Sequence, residues 1–142
     1  MTDSLLIDTG AFIALADQRD QLHEPALGFY RRLPDSVRRF TTQAVVSETY
    51  TFFRYHQGAT AATKWLDFLN NARSSGFLAV LYSDADDDAR AEAVLRRFPD
   101  RRLSYADALL LAAAEKLGIR SVFGFDHHLG LTGLTVLPGQ TL

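Results

Sequence analysis

The sequence contains no cysteine, which excludes disulfide bridges, thiolate zinc sites, iron–sulfur clusters and cysteine nucleophiles. The lack of cysteine fits a reducing compartment, and we expect the protein to be cytoplasmic. No apolar run approaches the ~18 residues that a membrane-spanning helix needs. The first residues are acidic and include no basic leader, so we expect neither a secretory signal nor an association with membranes.

Lysine is scarce, because 13 of the 15 basic residues are arginine. A formal net charge of −2 excludes a globally basic nucleic-acid binder, although it leaves a local patch open. Phosphate-binding loops rich in glycine are also missing. Two interpretations of the arginine doublets stay open, a grip on phosphates and solvated helix ends, and the second is the simpler. The doublets are Arg31-Arg32, Arg38-Arg39, Arg96-Arg97 and Arg101-Arg102.

The 142 residues have the length of one domain, and 47% hydrophobic residues with 23% charged ones are typical of a globular chain. We therefore expect a single domain over residues 1–142. Short apolar runs alternate with amphipathic stretches, which predicts an α/β fold with a central parallel sheet of about five strands flanked by helices. The predicted strands are Leu5–Ile7, Arg39–Thr41, Leu78–Leu81, Ser121–Phe123 and Thr135–Leu137. The predicted helices are Ala11–Ala16, Gln21–Arg32, Gln43–Tyr55, Ala59–Ala72, Asp84–Phe98 and Ser104–Leu117.

Four acidic residues stand alone in otherwise uncharged stretches. Asp8, Glu48 and Asp107 are each the only charged residue in a dozen or more consecutive positions, and Asp126 is the only acid beyond residue 121. The predicted helix around Asp107 is apolar nearly all round, which indicates burial, and a lone buried charge is costly. Asp8 and Asp126 each follow a predicted strand, and the carboxyl ends of parallel strands line ligand-binding crevices. We therefore expect the four acids to converge.

Convergence would need a neutralising group, because like charges ~4 Å apart repel by about 4 kcal/mol at an effective dielectric of 20. Carboxylate oxygens without cysteine favour Mg²⁺ or Mn²⁺ over zinc. Such an ion can activate water for phosphodiester hydrolysis. The neighbouring His127 and His128 are more simply solvated.

Each acid also has a purely local interpretation. Ser104 and Asp107 fit a capping box, Asp8 could cap the following helix, Glu48 could be an ordinary helix residue, and Asp126 could be a turn residue. Their joint occurrence favours a shared site. By contrast, the acids at 84, 86, 87 and 88 are clustered in a charged segment, which predicts a solvated first helical turn. Aromatic residues such as Trp65 and Phe68 could stack on bases, although packing is the simpler interpretation.

The chain resembles the PIN-domain ribonucleases in the order and spacing of four motifs. These are Leu-Ile-Asp8-Thr-Gly-Ala-Phe-Ile-Ala-Leu, Val-Val-Ser-Glu48-Thr, Leu-Ser-Tyr-Ala-Asp107-Ala-Leu-Leu-Leu-Ala-Ala-Ala and Val-Phe-Gly-Phe-Asp126-His-His-Leu. The resemblance spans nearly the whole chain. It is strongest to the small VapC-type toxins, which are PIN domains of about this length.

The resemblance implies a parallel sheet, an acidic pocket that binds Mg²⁺ or Mn²⁺, and endonucleolytic cleavage of RNA. It implies that Asp8, Glu48, Asp107 and Asp126 are catalytic metal ligands, directly or through water, with support from Thr9 and Ser104. It further implies a homodimer and inhibition by a cognate antitoxin. Two positions depart from the pattern, since Gly10 replaces a common Ser or Asn and Gly124 replaces a common Thr.

Other functions stay open at this stage. A PIN-like module could bind metal or a partner without turnover, and a PIN nuclease could serve housekeeping instead of toxicity. A haloacid-dehalogenase-like phosphatase would need an Asp at position 10, where this chain has Gly. A receiver domain would need a phosphoacceptor after the third strand and a late lysine, which Lys64 and Lys116 fit poorly.

Overall fold

The computed structural model describes residues 3–139, which form five strands, six α-helices and one 3₁₀ turn. In chain order the elements are β1 (Ser4–Ile7), α1 (Thr9–Ala16), α2 (His23–Arg32), β2 (Arg38–Thr42), α3 (Gln43–Gln57), α4 (Ala59–Ser74), β3 (Ala79–Leu81), α5 (Ala85–Arg97), α6 (Tyr105–Leu117), β4 (Ser121–Phe123), the 3₁₀ turn (His127–Gly130) and β5 (Thr135–Leu137). The predicted α/β class is confirmed, and each predicted strand and helix is present within a few residues of its expected bounds.

All neighbouring strands are parallel, in the order β3-β2-β1-β4-β5. The chain first builds outward from β1 to β2 and β3, and then returns to the other side of β1 to add β4 and β5. This reversal lies between β1 and β4. Loops that leave the two strands diverge at such a point and open a crevice at the carboxyl edge of the sheet.

The helices fall into two groups, according to the side of β1 on which the chain is adding strands. Because crossovers between parallel strands are right-handed as a rule, the strand order assigns α1 to α4 to one face of the sheet and α5 and α6 to the other. The main core joins strand residues such as Leu6 and Phe123 to Phe12, Phe53 and Trp65 from the first face. A smaller core lies where α5 packs on α6. Between Ala106 and Ala114, α6 is mostly apolar and buried, as its sequence predicts.

Several helix ends follow from their capping residues. Thr42 accepts a hydrogen bond from the Val45 amide and begins α3 directly after β2. Gly118 ends α6 with a left-handed φ of 69°, a conformation that glycine adopts without steric cost. None of the helices in the described part of the chain combines the length and apolar character that crossing a membrane requires.

Candidate metal and catalytic site

Asp8 lies at the carboxyl end of β1, where the strand turns into α1. Its backbone N–H donates to Phe123 O over 3.0 Å, which extends the pairing of β1 with β4 and fixes the residue in the crevice. Asp8 is 7% exposed. Asp8 is the N-cap residue of α1, as the local interpretation predicts, but it caps through its backbone carbonyl, because its side chain makes no capping hydrogen bond to α1 within residues 3–139. The carboxyl group is buried without that local role.

Asp107 lies in the first turn of α6 and is half-buried. The predicted capping box is confirmed, because the Asp107 N–H donates to Ser104 Oγ and the Ser104 N–H donates to Asp107 Oδ2, each over 3.0 Å. The box uses one carboxylate oxygen and leaves Oδ1 outside it. The local role and a role in a shared site are therefore compatible.

Glu48 projects from α3 toward the beginning of α1. Thr9 Oγ1 donates to Glu48 Oε1 over 3.2 Å, a contact between residues 39 positions apart. Glu48 is exposed, in contrast to the buried Asp8. The contact with Thr9 shows that Glu48 is more than an ordinary residue on a helix surface, since it joins α3 to the Asp8 corner.

Asp126 follows β4 and caps the 3₁₀ turn, so its predicted role as a turn residue is confirmed. Its Oδ1 accepts from the His128 N–H over 2.9 Å and lies 3.1 Å from His128 Nδ1. Gly124, two residues earlier, packs against the acidic corner. A Cβ at this position would lie 3.2 Å from Asp8 Cβ and 2.9 Å from Leu129 Cδ1.

The charges of the four acids meet at Asp8. Burial, followed by the negative charge of Asp107, raises the pKa of Asp8 to about 7, and Glu48 and Asp126 add smaller increases against a decrease from the Thr9 N–H. Partial burial of the carboxyl group also raises the pKa of Glu48, and Asp107 adds to the increase, while hydrogen bonds with Thr9 and Ser104 oppose it. Asp107, Glu48 and Asp126 all lie near enough to act on the Asp8 carboxyl, so the structure brings the four acids to one corner of the sheet, and we call this group the acidic site.

The donor set of the acidic site suits a divalent cation. It consists of carboxylate oxygens, which Mg²⁺ and Mn²⁺ prefer as ligands. Burial and the neighbouring acids disfavour the ionised form of Asp8, and a nearby cation would favour it. No three carboxylates of the site approach one another as closely as 4.8 Å within the described residues. Such spacing leaves room for water among the ligands of a cation, and Mg²⁺ usually keeps several waters.

A second group of acids is tighter, but two of its three carboxylates already pair with basic side chains. Asp84, Asp86 and Asp87 have oxygen atoms within 4.8 Å of one another, the one such group of three that the described residues contain. Asp84 and Asp87 form the capping box of α5, Asp86 bonds Arg90 over 2.8 Å, and Asp87 bonds Lys116 over 2.9 Å. The expected solvated first turn is thus confirmed.

Sequence reasoning missed the position of Arg39. The doublets at 31–32 and 96–97 end helices and are exposed, as expected, and 101–102 lies exposed in a loop. Arg38 and Arg39 instead lie on β2, where alternation turns one side chain outward and the other inward, so Arg39 is 7% exposed. The predicted strand over Arg39–Thr41 contained the signal for this difference.

Comparison with known proteins identifies the family. The PIN domain matches residues 5–132 of the chain. The chain belongs to the PIN domain family. No curated protein sequence matched it. The match extends from β1 past the 3₁₀ turn and contains all four residues of the acidic site.

Several solved structures share this architecture. The crystal structure of VapC20 from Mycobacterium tuberculosis, described as a sarcin–ricin loop cleaving toxin, has a TM-score of 0.82 at 27% identity, covering 92% of this chain and 96% of that one. VapBC2 from Rickettsia felis, bound to a DNA fragment from its promoter, has a TM-score of 0.71 at 9% identity, with coverage of 94% and 96%. VapBC-1 from nontypeable Haemophilus influenzae has a TM-score of 0.65 at 15% identity, with coverage of 94% and 96%. The last two establish the shared fold alone.

Proposed function

We propose that this PIN domain is an endoribonuclease that depends on Mg²⁺ or Mn²⁺ and hydrolyses RNA phosphodiester bonds at the acidic site. One observation carries the proposal. Four carboxylates from separate segments meet at the carboxyl edge of the sheet, and their combined charge and burial disfavour the ionised form of Asp8. A cation reverses that balance, because it favours the charged carboxylates that would hold it.

Each residue of the acidic site has a distinct part in the proposal. Asp8 and Asp107 would hold the principal ion, directly or through water, from the buried side of the crevice. Glu48, on the exposed side, would bind the ion or orient the attacking water. Asp126 would complete the site or hold a second, weaker ion. Thr9 supports Glu48 through its hydroxyl, and Ser104 supports Asp107 through the capping box.

A bound divalent cation would acidify water and stabilise the charge on the phosphoryl group during in-line displacement. The chain itself would hold the ligands of the cation in fixed positions at the carboxyl edge of the sheet. Asp8 is held by the pairing of β1 with β4, and Asp107 by the first turn of α6. We propose products with a 5′-phosphate and a 3′-hydroxyl. Arginines near the rim would counter the repulsion between RNA and the acids.

We further propose that the protein is a cytoplasmic toxin, active as a homodimer and inhibited by a cognate antitoxin. The likeness to VapC20, which is described as a toxin, supports the proposal that this protein is a toxin. An apolar groove of about 410 Å³ beside α1, lined in part by Leu15 and the exposed Phe68, is a candidate surface for a protein partner. RNA containing a sarcin–ricin loop is the first substrate to test, because VapC20 is described as cleaving that loop.

An RNA cleavage assay tests the proposal. We expect the wild-type protein to cut structured RNA with Mn²⁺ or Mg²⁺, to stop when EDTA is added, and to lose at least about a thousandfold in rate in Asp8→Asn. Asp67→Asn is the matched control, since Asp67 is exposed on α4 away from the acidic site. Binding of Mn²⁺ without cleavage of any RNA would favour the non-catalytic binding module. Cleavage without a neighbouring antitoxin gene would favour a housekeeping nuclease.

A further inference from the structure

A second cleft lies apart from the acidic site, at the beginning of β2. Arg39 pairs with Leu5 in the register of β1 and β2, three residues before Asp8, which corresponds to about 10 Å along the strand. The cleft has a volume of about 530 Å³ and is bordered by Tyr30, Arg39 and Phe77, with Phe68 and Asn71 contributed by α4. We call it the Arg39 cleft.

Arg39 is an unusual residue for a buried position. It is 7% exposed, and no carboxylate among residues 3–139 lies within 4.0 Å of its nitrogens. Its Nη2 donates one long hydrogen bond to Pro34 O over 3.4 Å, and its buried Nε has no hydrogen-bond partner among the described residues. A guanidinium that is always charged has therefore been removed from water without a counter-anion.

Aromatic rings surround this charge. The guanidinium carbon lies 5.0 Å from the centre of the Tyr30 ring and 5.8 Å from that of Phe77. These rings compensate part of the lost hydration through cation–π attraction, but they accept no hydrogen bond in the plane of the guanidinium. Phe77 is 45% exposed and Phe68 is 41% exposed. The cleft thus combines a preformed donor for an anion with free aromatic surface beside it.

We propose that the Arg39 cleft binds a nucleotide unit, with its phosphate on Arg39 and its base against Phe77 and Phe68. A phosphate matches the planar fork of arginine, and bases stack on exposed aromatic side chains. The volume lies within the range of small-ligand sites. Asp35 and Arg31 also line the cleft and are both exposed, so their charges offset one another and Arg39 supplies the net positive charge of the cleft. The ligand is either a free mononucleotide or one nucleotide of a bound RNA strand, and the second case rests on the proposed nuclease function.

Titration of the folded protein in EDTA tests the site without cleavage. The probes are adenosine 5′-monophosphate, inorganic phosphate and a 12-nucleotide single-stranded RNA, each added to wild type and to Arg39→Met. We expect Arg39→Met to weaken binding of the mononucleotide at least tenfold. We also expect inorganic phosphate to bind at least tenfold more weakly than the mononucleotide, because it has no base to stack. The control Arg102→Met replaces an exposed loop arginine and should leave both affinities unchanged.

A second variant guards against a folding defect in Arg39→Met. Phe77→Leu keeps an apolar side chain at a half-exposed position, and we expect it to weaken mononucleotide binding about fivefold or more. Equal affinities in wild type and both variants, or no binding of either nucleotide probe at 10 mM, would overturn the proposal. Arg39-dependent binding of the 12-mer identifies an RNA strand as the ligand, and dependence for the mononucleotide alone identifies a free nucleotide. If the wild-type protein binds the nucleotide probes through Arg39 but cleaves no RNA, the nuclease function is refuted and the Arg39 cleft is not.

Discussion

Thr9 and Glu48 lie 39 residues apart, and the Thr9 hydroxyl joins them by donating to Glu48 Oε1 over 3.2 Å. This bond connects the first turn of α1 to α3 directly beside Asp8. It also lowers the pKa of Glu48 against the increase that burial and Asp107 cause. Thr9 therefore helps to hold Glu48 in place and partly offsets the increase in its pKa.

Removing the Thr9 hydroxyl should weaken the site without unfolding it. We expect Thr9→Val to need a higher Mn²⁺ concentration for half-maximal RNA cleavage, by about 10-fold or more, as is typical when a partner of a metal ligand is lost. The pKa of Glu48 should rise further, so the cleavage rate should reach its plateau at a higher pH. Thr9→Ser retains the donor and should behave like wild type. Identical metal and pH profiles for Thr9→Val and wild type would contradict this role.

Asp8→Asn should stabilise the metal-free protein above pH 7. The pKa of Asp8 is about 7 in the folded state and about 4 in the unfolded chain, so between these values the folded state holds a proton that the unfolded chain has released. Wild-type stability consequently falls as pH rises through this window. The substitution removes the penalty, which is at most about 4 kcal/mol above pH 7 and vanishes below pH 4.

Chemical denaturation in EDTA across pH 4–8 measures this difference. Asp67→Asn serves as the control and should follow the wild-type curve, since Asp67 is exposed. If Asp8→Asn is no more stable than wild type at pH 8, the ionised Asp8 carboxylate carries no penalty in the fold and the electrostatic argument fails.

Gly124 and Gly10 should respond in opposite ways to a methyl group. Gly124→Ala would place its Cβ 2.9 Å from Leu129 Cδ1 and 3.2 Å from Asp8 Cβ, so we expect a loss of about 1–3 kcal/mol and lower cleavage activity. At Gly10, apart from its chain neighbours and the backbone of its own helix, no described atom lies within 4 Å of an added Cβ. Gly10→Ala should leave stability unchanged or raise it by up to about 1 kcal/mol. Equal effects of the two substitutions on thermal unfolding would refute this account of the packing.

Added Mn²⁺ or Mg²⁺ should stabilise the fold through the acidic site and not through the tighter group on α5. A ligand that binds only the folded state contributes about 2.7 kcal/mol at one hundred times its dissociation constant. We expect wild type and Asp86→Asn to gain equally in melting temperature, and Asp8→Asn to gain little. If Mn²⁺ raises the melting temperature of Asp8→Asn but not that of Asp86→Asn, the ion binds the group on α5, and this prediction is wrong.

The sequence predicts the elements and the convergence of the acids because both depend on local patterns. Apolar runs and capping residues define the strands and helices, and a lone acid after a strand must lie at the carboxyl edge of the sheet. The order of the strands depends on how helices pack across the whole domain, so local patterns do not specify it. The same limit explains why Glu48, in an uncharged stretch, is exposed, and why Arg39 is buried beside the exposed Arg38.

Crystals grown with Mn²⁺ would test the central claim most directly through the anomalous signal of the metal. The account predicts a peak among Asp8, Glu48, Asp107 and Asp126 that disappears in Asp8→Asn crystals under the same conditions. A peak only beside Asp84, Asp86 and Asp87, or no peak in the wild-type protein at saturating Mn²⁺, would contradict it.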